Sequence, residues 1–159
     1  MTYNFNTMKG IDILSKDTLD AIKADAICVT TNGIVKSNGE LIMGAGVAKQ
    51  FKETIPNIER ILGAKVRITG NHVYEACKYK TNLKEVQVLS FPTKNDFRDK
   101  ADINLIIQSA KRLVKWADKT GATRILIPSP GTGLGGLTYK TVYSALNDIL
   151  DKRFTIVTK

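Results

Sequence analysis

Histidine is nearly absent from this 159-residue chain, which has one, His72. Cysteine is almost as scarce, with Cys28 and Cys77 alone and far apart. These shortages exclude the Cys/His clusters that hold zinc and the serine–histidine pairs that activate a hydroxyl nucleophile, so neither a metal nor a cofactor is expected. His72 reads as a loop residue, and the two cysteines, each in a strand-like stretch, as buried apolar fillers. Acid is also in deficit: 15 Asp and Glu stand against 24 Lys and Arg, a formal charge of +9. The bases are spread along the chain instead of forming a tail. That favours an anionic partner, although a merely basic surface would give the same count. No apolar run reaches membrane-spanning length, and no basic region leads into an apolar one at the start, so a cytoplasmic protein is expected. The length suits a single domain over residues 1–159, and a monomer is expected.

What is present centres on residues 125–137. Ile125, Leu126 and Ile127 suit a strand buried on both faces, which breaks at Pro128 and Pro130. Four glycines follow, Gly131, Gly133, Gly135 and Gly136, and the periodic stretch from Tyr139 to Leu150 reads as a helix. A strand, a glycine loop and a helix can cradle a phosphate, because bare amides and the positive end of a helix dipole both attract an anion. A tight connection without a ligand would look the same.

A second unit of this kind lies upstream. Ala24–Thr31 reads as a buried strand ending at Asn32-Gly33, Ile34–Ile42 as loop, and Met43–Phe51 as small residues passing into a helix ended by Pro56. Two bare-backbone loops around one pocket would suit a diphosphate. Elsewhere, Tyr3–Met8 reads as an edge strand, Ser15 as the start of a short helix, Asn57–Leu62 as another short helix, and His72–Tyr79 as a solvated edge strand. Glu85–Phe91 is a firmer strand, which places Lys94 just beyond its end. Asp102–Thr120 carries an apolar stripe through Ile106, Ala110, Leu113 and Ala117, with Gly121 as its cap, and Phe154–Val157 closes the sheet. In an open α/β sheet the crevice lies at the carboxyl ends of the strands, where Asn32, Lys94 and Gly131–Gly136 would meet. Asp12, set between isoleucines, serves either turn chemistry or a ligand's amino group.

With both loops in place the chain resembles the macrodomain family. The resemblance rests on Gly10–Leu14, on the strand into Asn32, on Gly44-Ala45-Gly46-Val47 and on Gly131-Thr132-Gly133-Leu134. It implies a three-layer α/β/α fold with a mixed, about six-stranded sheet between helices, and ADP-ribose as ligand. Asp12 and the amide of Ile13 would read adenine, while Gly44–Val47 and Gly131–Leu134 would hold the pyrophosphate. The distal ribose would meet Asn32, or Asn38 if spacing to the glycine loop is the guide. Within the family, Phe91-Pro92-Thr93-Lys94 and Gly133-Leu134-Gly135-Gly136-Leu137 are similar to the branch of lysine-using ADP-ribosyl glycohydrolases. That branch includes enzymes that act on protein and antitoxins that act on DNA. The likeness implies Lys94, with Asn32, as catalytic, and an ADP-ribosylated macromolecule, nucleic acid included, as partner; the family equally allows a binding module without turnover, or hydrolysis of ADP-ribose 1''-phosphate in the same pocket. The protein-acting enzyme has an aspartate where this chain has Gly135, and the DNA-acting members share the glycine.

Overall fold

The structure, a computed structural model, describes residues 3–8 and 12–158, the side chain of Leu134 excepted. Gly10 and Ile11 of the first loop lie outside the described residues. Six strands form one sheet: β1 (Asn4–Thr7), β2 (Ala26–Thr31), β3 (Glu75–Lys80), β4 (Glu85–Pro92), β5 (Ile125–Pro128) and β6 (Phe154–Thr158). Their order is β1-β6-β5-β2-β4-β3. All neighbours are parallel except β3 and β4, so the sheet is mixed.

Alternation along the central strands builds a core on each face. Ile27, Val29, Val86, Val88, Leu126 and Val157 point to one side, against α1 (Lys16–Ile22), α2 (Gly46–Thr54) and α3 (Ile58–Thr69). Cys28, Leu89, Phe91, Ile127, Phe154 and Ile156 point to the other, against α4 (Ile103–Thr120) and α5 (Tyr139–Leu146). Strands buried on both faces need apolar residues at every position, which is why β2 and β5 read as continuous apolar runs. The expected α/β/α layering is what the chain adopts.

Helix ends follow local chemistry. Ser15 caps α1 by accepting from the Thr18 amide, and Asp102 caps α4 by accepting from Asn104 and Leu105. Gly121, at φ 77°, closes α4 in the left-handed region that glycine enters freely. Two helices differ from the sequence reading. The short helix expected over 57–62 runs on to Thr69, straight through Gly63, where a Cβ would stand 2.0 Å from the Gly39 oxygen. That close packing between α3 and the 34–42 loop leaves no room for any side chain at Gly63. Conversely, the helix expected to Leu150 ends at Leu146. The Ile149 and Leu150 amides both turn back to the Leu146 carbonyl, although both side chains still pack against the same core. Cys28 is fully buried, as read, and burial pushes its thiol pKa up. Cys77, expected to be buried, is only half-buried on the edge strand β3.

Candidate functional site at the carboxyl ends of the strands

A cavity of about 720 Å³ crosses the carboxyl ends of β6, β5, β2 and β4. Its walls are loops, because parallel strands all deliver their connections to one edge of the sheet. Asn32, Gly44, Ala45, Gly46, Val47, Lys94, Gly131, Thr132 and Gly133 line it, so two loops and a lysine distant in sequence meet there. Asp12 and Ile13 are not among the lining residues. The Ile13 side chain is buried in the core, and Asp12 is exposed, with one carboxylate oxygen accepting from the Leu14 amide at 2.8 Å and from Gln50 of α2. Asp12 thus performs the turn chemistry, and among the described residues nothing bonds its second oxygen. Of the two candidate asparagines, Asn32 is in the wall, while Asn38 is exposed and folds back on Glu40.

Asn32 is 8 % exposed, and its amide is fixed at both ends. Its Nδ2 donates to the Ile42 carbonyl at 2.8 Å and its Oδ1 accepts from the Ile34 amide at 2.9 Å. The side chain clips the 34–42 loop to the end of β2, and it can offer a ligand only its remaining proton and lone pair.

The two glycine loops are built differently. In the first, Ala45 stands at the N-cap of α2 with no side chain to close the helix end, and residues 44–48 all face the cavity. An uncapped helix entry carries free amides and about half a positive charge. Gly44 has open space around it, with nothing within 4 Å of where a Cβ would be. The second loop is closed on itself. The amides of Gly135, Gly136 and Leu137 bond back to Thr132, Gly133 and Gly131, and Thr138 caps α5 by accepting from the Thr141 amide. One amide at the α5 entry is therefore already taken by its cap. What this loop presents is backbone: among the described residues, none of the amides of Gly131, Thr132 and Gly133 donates to a protein acceptor. Gly131, at φ 75°, is pressed against Ile106 and Leu137, whereas Gly133, at φ 64°, meets nothing within 4 Å. A hydroxyl cluster steadies the loop from below, with Ser129 Oγ 2.7 Å from Thr132 Oγ1 and 3.0 Å from the Tyr143 hydroxyl.

Lys94 begins a strap between β4 and α4. The strap is anchored throughout: the Gly33 amide donates to Asn95 O at 2.9 Å, Asn71 Nδ2 to Lys94 O at 3.0 Å, and the Asp102 amide to Thr93 O at 2.8 Å. Among the described residues lining the cavity, Lys94 is the one side chain that carries a full charge, and no carboxylate or histidine accompanies it. Sequence reasoning missed Phe97, Ser129 and Tyr139, which also line the cavity. For Phe97 the available signal was an aromatic residue past a strand end, at a position no apolar period explains, whereas Tyr139 was hidden because it opens the periodic stretch read as a helix.

A model of the Macro domain matches residues 36–146. The chain belongs to the Macro domain family. Solved structures similar to this macrodomain include that of Mycobacterium tuberculosis DarG, at 23% identity and a TM-score of 0.70 over 96% of both chains. The macrodomain of Thermus aquaticus DarG is 23% identical, with a TM-score of 0.67 over 99% of both chains. Thermosipho africanus DarTG, solved in complex with ADP-ribose, is 20% identical with a TM-score of 0.73, over 98% of this chain and 42% of that one. At such identities the likeness is one of fold. No protein with a curated description matches this macrodomain in sequence at significance. Among the described residues no three His, Cys, Asp or Glu are grouped to hold a metal ion, and no helix is long and apolar enough to cross a membrane.

Proposed function

We propose that this macrodomain binds ADP-ribose in the cavity and hydrolytically removes it from a modified macromolecule, with DNA the favoured carrier and protein the next. The observation that carries the reading is the lone ionic side chain, Lys94, in a cavity otherwise walled by free amides, hydroxyls and apolar groups. The uncapped entry of α2 and the open amides of Gly131–Gly133 replace the water that a pyrophosphate loses on binding. Adenine lies toward the β6 side, beside Asp12 and the Ile13 amide, and the distal ribose toward β2 and β4, beside Asn32 and Lys94. With no carboxylate among the described residues of the wall to activate water directly, Lys94 is the group able to attack the anomeric carbon. In that step Lys94 first gives its ammonium proton to water, the amine so formed bonds to the carbon, the bond to the carrier breaks, and the carrier leaves with the electron pair and the proton that the newly bonded nitrogen sheds. Water then displaces the lysine, which releases ADP-ribose.

The glycohydrolase reading is tested by incubating wild-type and Lys94→Ala proteins with ADP-ribosylated DNA, ADP-ribosylated protein and ADP-ribose 1''-phosphate, and identifying the products. Wild type should release ADP-ribose from DNA. Lys94→Ala should bind ADP-ribose within about tenfold of wild type, or 1.4 kcal/mol, yet release none, since a group needed in the transition state changes rate more than ground-state binding. Lys94→Arg should also fail, because a guanidinium stays protonated. The absence of a carboxylate beside Lys94 among the described residues favours one second reading, a binding module without turnover. Tight ADP-ribose binding with no release from any carrier would establish it.

A further inference from the structure

The strap from Lys94 to Ala101 holds an aromatic ring where the proposed reaction would release its carrier. Phe97 lines the cavity three residues after Lys94, at the β4 end, and keeps 43% of its surface exposed, unusual for phenylalanine. A cation rests against the ring. The Arg98 guanidinium lies over it, 5.5 Å from the centroid, and is itself gripped at both ends by Asp96, at 2.9 Å through Nε and 2.6 Å through Nη2. Those bonds keep the Asp96 carboxyl well below the usual range, at about 2, so the pair stays ionic throughout the neutral range. The Arg98 amide also donates to Asp96, and the Ala101 amide donates to Gly135 O at 2.9 Å, which ties the strap to the second glycine loop. The exposed ring thus meets a fixed cation without being covered by the core. Beyond it Lys100, exposed, runs its stem along Gly136, and among the described residues no carboxylate pairs with it.

We propose that Phe97 is a stacking platform for the nucleobase that carries the ADP-ribose, with Lys100 further along the strap for the neighbouring phosphate. This rests on the ADP-ribose reading of the cavity and adds the class of carrier: an unpaired base in a single strand. A flat apolar ring, with Lys100 three residues further along the same strap, matches a base and its phosphate, and base–aromatic stacking is open to every base because each has a π-face. A base still stacked in a duplex could not lie on the ring. Asp96 and Arg98 are positioning residues, since they act through the ring.

The test measures affinities of the full chain carrying Lys94→Ala, so that ADP-ribose stays on its carrier, with mass spectrometry checking that it does. The probes are free ADP-ribose, an ADP-ribosylated single-stranded oligodeoxynucleotide and an ADP-ribosylated peptide. Adding Phe97→Ala should weaken the oligonucleotide about tenfold more than it weakens free ADP-ribose, whereas Phe97→Trp should restore most of the loss. Asp96→Asn should give a smaller loss of the same kind, and Lys100→Ala should lower the salt dependence of oligonucleotide binding alone. Equal losses for oligonucleotide and free ADP-ribose overturn the proposal, as does a larger loss for the peptide, which would make protein the carrier. If the protein without these changes fails to bind free ADP-ribose, the cavity reading itself falls, a result distinct from either of those.

Discussion

Gly63 and Gly44 are both glycines whose backbone would accept any residue, yet they occupy opposite kinds of surroundings. A Cβ at Gly63 would collide with the backbone at Gly39 and Leu41, and one at Gly44 would touch nothing within 4 Å. The first glycine exists so that α3 can lie directly on the 34–42 loop. The second leaves room at the cavity wall that the protein itself does not fill. Stability and binding therefore reside in separable regions, and a single methyl group placed in each should separate them.

The most severe way to break the binding region is Gly133→Glu, which sets a carboxylate among the free amides of the second loop. ADP-ribose affinity should fall at least a hundredfold, about 2.7 kcal/mol, by calorimetry. The left-handed backbone there adds a stability cost of about 1 kcal/mol, which a denaturant titration would report separately. Normal ADP-ribose binding by this variant would mean the loop is not the cradle. Next comes Gly63→Ala. The atom has no room, so the variant should lose about 3 kcal/mol of stability, while the molecules that remain folded bind ADP-ribose as wild type does. The mildest change, Gly44→Ala, should shift stability by no more than about 0.5 kcal/mol but weaken ADP-ribose about tenfold, or 1.4 kcal/mol. If Gly44→Ala instead costs stability and spares binding, the contrast between the two glycines is wrong.

That contrast also marks how far the sequence could be read. The strands of the sheet were legible because β5 and Ala26–Val29 of β2 are unbroken apolar runs and β4 carries Val86, Val88, Leu89 and Phe91, and the helix α4 because its stripe recurs at the helical period. The two glycine loops were legible as loops. Their difference was not: whether a helix end is open or capped depends on one side chain, absent at Ala45 and present at Thr138. The extent of α3 was hidden for a similar reason, since Gly63 weakens a helix by propensity and is demanded there by a contact with a segment more than twenty residues earlier in the chain. At the site, Asn32 and Lys94 could be placed at strand ends from the order of elements alone. The clip that Asn32 forms with Ile34 and Ile42 could not, because it depends on the path of the intervening loop. Phe97 was passed over since a ring propped by an ion pair two residues wide leaves no periodic trace.

The position of β6 carries a consequence for the life of the chain. This strand lies between β1 and β5, pairs in parallel with both, and supplies Val157 and Thr158 to the cavity. Its partner β1 is joined to it across almost the whole sequence, the Thr7 and Thr158 hydroxyls meeting at 3.3 Å over a separation of 151 residues. Pairings so distant are slow to form, because closing the long loop costs entropy before any contact repays it. During synthesis, β1 emerges first and must wait with an unsatisfied edge until nearly every other element has been made. Val157 and Thr158 complete the cavity wall only when β6 pairs, so a chain lacking residues 154–158 should leave β1 without its partner strand and the cavity open on that side.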